Sequence, residues 1–214
     1  TFELIEYPGS TTLTQARGIN RAGDIVGTYD YHKGFVRLAA TGAFVSLEVP
    51  GTFITNAWGI DDAGRVVGYF FESDEPSAYP EGFLYQNGQY ITLEYPGSIG
   101  TQAYGVSAAG VVGSFFASGH YHGFLYKDGT WTQLDVPGST DTSAFGIAPN
   151  GQIVGSWIDP QKGRRGFIYT SGVYTSHDFP QAGIIQTQLY AITGNGSVLG
   201  SFWDGGCDIE AFIF

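Results

Sequence analysis

The sequence predicts an all-β fold, a five-bladed β-propeller with four antiparallel strands per blade, and three observations lead there. A five-fold repeat with a period of roughly 43 residues accounts for residues 1–214 as a single domain. The chain has 33 glycines and is 16% aromatic, with short Val, Ile, Phe and Tyr runs between the glycines, which favours strands and tight turns. No stretch of about ten residues carries a clean helical stripe.

Each element follows from the repeat. The opening phrase "TFELIEYPGS" returns as "AFVSLEVPGT" at 43, "QYITLEYPGS" at 89, "TWTQLDVPGS" at 130 and, worn, "VYTSHDFPQA" at 173. A second phrase runs in parallel copies from "ARGINRAGDIVGTY" at 16 to "LYAITGNGSVLGSF" at 189, and a third from "KGFVRL" at 33 to the closing "EAFIF" at 210. One unit therefore reads as strand A ("TNAWGID"), B ("RVVGYFF"), C ("GFLYQ") and D ("QYITLEY"). Asp-Ala-Gly and Asn-Gly turns separate A from B and C from D, because a tight hairpin needs positive φ that Gly tolerates. A blade cannot bury both of its faces alone, so units stack. The last unit lacks a D strand and residues 1–7 are an orphan D, so the N-terminal strand is expected to complete the last blade and close the ring. Deleting Thr1 to Glu6 should then destabilise the domain far more than loss of an exposed terminus would. An open solenoid is the competing architecture, but it calls for capping units, and a split first repeat is the opposite of a cap.

The stretch "HGFLYKDGTWTQLDVPGSTDTSAFGIAPNGQIVGSW" at 122–157 resembles, nearly throughout, the bacterial extracellular HAF repeats, and the resemblance extends over all five units. It implies a propeller-like fold and a secreted or cell-envelope setting, and it brings no catalytic motif. A chain that starts at Thr1 and has no Met reads as trimmed, compatible with a removed leader.

Composition narrows the function classes. A net charge of −11 and a pI near 4.5 argue against nucleic acid and anionic membranes, and no run of about 18 apolar residues offers a membrane span. Cys207 is alone, so no intrachain disulfide forms. No cofactor is expected, and the chain is read as a monomer.

In a propeller with D outermost, the D–A and B–C connections share one face, and the B–C loops differ in every unit, from "DYHK" to "FESDEPSAYPE". Binding residues are expected there. Strand A is innermost. At its start stand Thr14, Thr55, Thr101, Thr142 and Thr187, followed by Gln15, Asn56, Gln102, Ser143 and Gln188, which would ring the channel mouth. The plainer reading of the threonines is that their hydroxyls tie the D–A loop by side chain to backbone bonds. Two residues on from the amides, Arg17 stands where the other units have Trp58, Tyr104, Phe145 and Tyr190; an Arg among rings suits a carboxylate or sulfate, or simple packing between blades. Tyr31, Tyr79, Tyr121, Trp157 and Trp203 are the loop aromatics for stacking on sugar faces. The residues before each "GF" motif or its variant, Lys33, Glu81, His122, Arg165 and Glu210, alternate in charge and suggest ion pairs between blades at Lys33/Glu81, Arg165/Glu210 and Glu210/Lys33.

His120 and His122 have the same-face spacing of a metal pair, but no third ligand is evident, so no metal is expected. For catalysis the best carboxylates are Glu72, Asp74 and Glu75, with Asp30, Asp159, Asp204 and Asp208 on other loops, but strand A supplies none on the loop face and no hydrolase motif occurs. The sequence thus favours a binding module for a carbohydrate or other small polar ligand. The alternatives are a small glycan-active hydrolase or lyase using Glu72, Asp74 or Glu81 with His122 or Arg17, and a protein-interaction scaffold.

Overall fold

A computed structural model describes residues 3–75, 77–181, 183–206 and 209–214, and among these residues there are nineteen strands and no helix. Thr1, Phe2, Cys207 and the candidate carboxylate Asp208 lie outside the described residues. The first sheet runs β1 (Thr14–Ile19), β2 (Ile25–Tyr29), β3 (Lys33–Arg37), β4 (Phe44–Leu47). The second runs β5 (Ile54–Ile60), β6 (Val66–Phe71), β7 (Glu81–Gln86), β8 (Gln89–Leu93). The third holds β9 (Gly100–Ser107), β10 (Gly110–Ala117), β11 (His120–Lys127) and β12 (Thr130–Leu134), and the fourth β13 (Thr142–Ile147), β14 (Ile153–Asp159), β15 (Gly163–Thr170) and β16 (Val173–His177). The fifth holds β17 (Gln186–Ile192), β18 (Val198–Trp203) and β19 (Glu210–Ile213). Five sheets of hairpin-linked antiparallel strands, ordered as in the chain, are the blades of a five-bladed β-propeller. The chain divides into two compact units, residues 1–106 and 107–214.

The repeat explains the packing. Phe35, Phe83, Phe124 and Phe167, the "GF" phenylalanines, have no exposed surface, and burying each stabilises by about 1.5–3 kcal/mol. In the first unit Val26, Val36 and Leu47 of one sheet join Ala57, Val66, Phe70 and Phe83 of the next in one cluster. In the second, Val112 and Leu134 join Ala144, Ile153 and Phe167. C–D hairpins turn on Asn87-Gly88, Asp128-Gly129 and Ser171-Gly172, all with positive φ, as two-residue turns of this kind require.

Within each unit the connections segregate as expected. In the first, the B–C residue Asp30 accepts from Thr11 N (2.9 Å) and from the Ser10 and Thr12 hydroxyls in the D–A loop, while the A–B turns meet through Arg21 N and Asp62 Oδ1 (2.8 Å). In the second, Tyr121 N donates to Asp141 Oδ1 (2.9 Å), and Ser107 Oγ donates to the Ala148 carbonyl in the A–B turn of the next sheet (3.2 Å).

Two departures from regularity stand out. The third repeat is one residue shorter in its A–B turn, where Gly110 takes a φ of 141° and opens β10 directly. The fifth sheet has three strands among the described residues, and Glu3–Tyr7, the described part of the expected closing strand, carry no strand. Tyr7 nevertheless packs as the end of a D strand does: it stacks on Tyr29 at 3.6 Å, as Phe179 stacks on Phe202 at 4.0 Å. Glu3 pairs with Arg37. Along β19 runs a groove of about 370 Å³ lined by Phe179, Leu189, Phe212, Ile213 and Phe214. The residue that is Gly34, Gly82, Gly123 or Gly166 in the other sheets, where a Cβ would come within 3.0 Å of a fourth-strand carbonyl, is Ala211 here.

Candidate functional site

The most distinctive chemistry lies along the first strand of each sheet. There the pairing register skips one residue between Ala16 and Gly18, Ala57 and Gly59, Ala144 and Gly146, and Leu189 and Ala191. The residues left out are Arg17, Trp58, Phe145 and Tyr190, so the positions singled out in the sequence are β-bulges, a device that re-aims a side chain. Two close approaches accompany the bulges. Opposite them on the second strand lie Gly27, Gly68 and Gly155, where a Cβ would sit 1.9, 1.9 and 2.1 Å from the carbonyls of Gln15, Asn56 and Ser143. After them come Gly18, Gly59 and Gly146, where a Cβ would meet the carbonyls of Trp58, Tyr104 and Tyr190 at 2.8, 2.6 and 2.9 Å. Neighbouring first strands are thereby held near enough for their bulge side chains to touch.

In the first unit this row is a contiguous cluster. The Arg17 guanidinium lies over the Trp58 ring at 4.2 Å, and Trp58 meets Tyr104 edge-on at 5.2 Å. Tyr69, opposite Asn56 in the register, closes the group at 6.2 Å from Trp58 and 6.4 Å from Tyr104. Burial raises the Tyr69 pKa, and the nearby Trp58 indole and Arg17 charge partly offset the rise. Trp58 Nε1 is itself buried and meets no acceptor in hydrogen-bond geometry among the described residues.

Two of the amides are oriented by the side chain two residues on, and the third by a threonine of the preceding sheet. Arg17 Nη2 donates to Gln15 Oε1 at 2.7 Å, the Tyr104 hydroxyl to Gln102 Oε1 at 2.9 Å, and Thr28 Oγ1 to Asn56 Oδ1 at 3.4 Å. With their oxygens engaged, these amides present their NH₂ groups as donors. The second unit repeats the device with fewer parts: the Tyr190 hydroxyl donates to Gln188 Oε1, and Phe145 and Tyr190 lie 5.8 Å apart. Tyr69 joins the cluster from the second strand through its pairing with Asn56, a partnership that the repeat offsets alone do not mark.

The five threonines beneath the row tie loops. Their hydroxyls accept from Tyr7, Val49, Tyr95, Val136 and Phe179 backbone N–H groups at 3.0–3.2 Å.

The loop aromatics divide. Tyr31, Tyr79 and Tyr121 are 68%, 53% and 45% exposed on B–C connections. Tyr31 and Asp30 both have positive φ, 65° and 48°, which is rare for an aromatic residue; the bonds from Ser10, Thr11 and Thr12 to Asp30 hold the turn. Those bonds, Thr11 N first, also lower the Asp30 pKa. Trp157 is drawn against the core cluster of the third and fourth sheets, and Trp203 Nε1 is spent on the Gly206 carbonyl at 2.7 Å.

The ion pairs expected between blades at Lys33/Glu81 and Arg165/Glu210 are instead made within a sheet. Lys33 lies 3.9 Å from Glu48, His122 Nδ1 2.9 Å from Asp135 Oδ2, and Arg165 pairs with Asp178. The register explains this: Gly34 faces Leu47 and Gly166 faces His177, so the residue before the first meets the residue after the second. Above two of these pairs open equivalent clefts, one of about 260 Å³ lined by His32, Lys33, Glu48, Thr52, Phe53 and Thr55, and one of about 150 Å³ lined by Arg164, Arg165, Asp178, Gln181, Ile185 and Thr187 among others. In the second sheet both members are acidic, Glu81 and Glu94; burial first, then Glu72 and Glu94, raise the Glu81 pKa. Of the carboxylates singled out in the sequence, Glu72 thus lies near enough to Glu81 for their charges to interact. His120 and His122 are engaged by different carboxylates, His120 Nδ1 lying 3.7 Å from Asp141 Oδ2.

No family model matches the chain, and no curated protein matches it. Solved structures do match its structure, a propeller lectin among them. The fungal lectin of Aleuria aurantia, described as a six-bladed β-propeller with a novel fucose recognition mode, is 12% identical, with a TM-score of 0.51 over 94% of this chain and 72% of that one. A mutant of AofleA from Arthrobotrys oligospora is 13% identical, with a TM-score of 0.54 over 98% of this chain and 72% of that one. At such identity the likeness establishes the β-propeller fold.

Proposed function

We propose that the chain is a carbohydrate-binding module of the HAF repeat type, secreted or held at the cell envelope, with its principal site on the first-strand row of residues 1–106. The observation that carries this reading is the arrangement of Arg17, Trp58, Tyr69 and Tyr104 beside three amides whose oxygens are already bonded. Sugars need both: apolar ring faces stack on aromatic rings, and hydroxyls accept from fixed donors. Fucose recognition by the Aleuria lectin supports saccharides as the first ligands to try. Because the five B–C loops differ, one or two sites are favoured over five equivalent ones. Calorimetry against a saccharide panel tests the reading: binding without turnover, lost in Trp58→Ala while folding is retained, is the expected outcome, and binding indifferent to Trp58 would refute this site.

A second reading, a glycan-cleaving enzyme, draws on the raised pKa of Glu81 beside Glu72, since a general acid must hold its proton near neutral pH. Turnover of a saccharide abolished in Glu81→Gln would place this reading first.

A further inference from the structure

We propose that the row in residues 1–106 selects saccharides bearing an oxyanion, a carboxylate or a sulfate ester, gripped by Arg17 above the Trp58 ring; this rests on the carbohydrate reading above. The chain has six arginines. Four of them, Arg21, Arg37, Arg65 and Arg165, are paired with carboxylates. Arg17 has no carboxylate within 4.0 Å among the described residues, and its hydrogen bond there goes to Gln15 Oε1, a neutral acceptor. A guanidinium carries five N–H donors in one plane, so a group that lies over a ring and spends one donor on an amide keeps an edge free for two oxygens of a carboxylate or a sulfate ester.

The position argues the same way. Its counterparts Trp58, Tyr104, Phe145 and Tyr190 are rings, so packing alone is satisfied by an aromatic residue there, and the first repeat replaces it with an exposed cation. Gln15 adds orientation, and the Asn56 and Gln102 amides stand on the adjoining strands to serve the sugar hydroxyls. The chain's net charge of −11 opposes anions at long range, but at physiological salt the screening length is about 8 Å, so contact with Arg17 outweighs distant carboxylates. The same charge favours short or singly charged glycans over dense polyanions.

The test is an array of neutral, uronate-bearing, sialylated and sulfated glycans, followed by calorimetry on the best hits with wild type and Arg17→Gln. Expected are anionic glycans bound about ten- to a hundredfold tighter than their neutral counterparts, with Arg17→Gln removing that margin because anionic glycans lose far more affinity than neutral ones, while melting temperature stays close to that of the wild type. The carboxylated and sulfated arms separate the two oxyanions. Binding of neutral glycans only, or a margin that survives Arg17→Gln, overturns the inference and leaves the carbohydrate reading in place. No glycan bound at all overturns both.

Discussion

The first-strand rows of residues 14–60 and 142–192 are built on the same backbone and carry different chemistry. Both have the skipped residue, the crowded glycines and an amide or hydroxyl two positions before the bulge. One presents Arg17 on Trp58, the other Phe145 near Tyr190. Repetition supplies a position from which a side chain must project; a single exchange at that position, ring to guanidinium, converts packing into recognition.

The largest effect should be shared by both rows. Gly68→Ala and Gly155→Ala force a Cβ into a carbonyl about 2 Å away, and each should cost about 3 kcal/mol or more by chemical denaturation. Unequal losses would break the equivalence of the two scaffolds. Next, truncating the rings should separate the rows: Trp58→Ala should weaken saccharide binding by about 2 kcal/mol, roughly thirtyfold, and Tyr190→Ala, at a residue already 40% exposed, should change it little.

The first two sheets offer a sharper contrast at equivalent positions, Lys33 with Glu48 against Glu81 with Glu94. Because the Glu81 pKa is raised in the fold, its contribution to stability is present below the ordinary glutamate range and lost as pH rises through the raised value. Glu81→Gln should therefore gain in melting temperature over wild type at about pH 7, with the gain vanishing toward about pH 4. The smallest effect is that of Arg17→Gln on stability, about 1 kcal/mol or less for an exposed cation on a ring, and a larger loss would return Arg17 to a packing role.

Much of this was legible in the residues. The recurrent Gly-Phe pair announced the buried Phe35, Phe83, Phe124 and Phe167, and the Asn-Gly and Asp-Gly pairs announced their hairpins. The first-strand amides and rings were legible as a row because their offsets within the repeat are constant. The ion pairs were not: charge alternation from blade to blade pointed to neighbouring blades, whereas cross-strand register puts Lys33 beside Glu48. Trp157 looked like a loop residue from its distance to "DPQK", yet it occupies the second-strand position of Tyr29 and Phe70, which faces the core. Tyr69 was missed because a bulge changes which side chains share a side, and a bulge has no residue signature beyond the glycines that permit it.

The most direct test uses the four tryptophans, each of which gives one indole N–H signal in a proton–nitrogen correlation spectrum. On titration with a saccharide that binds, the Trp58 signal should shift, because its buried N–H lies in the Arg17–Tyr69–Tyr104 cluster, while those of Trp131 and Trp203 stay in place. A shift confined to Trp203, with Trp58 unmoved, would put the ligand on the B–C loops and contradict a first-strand site.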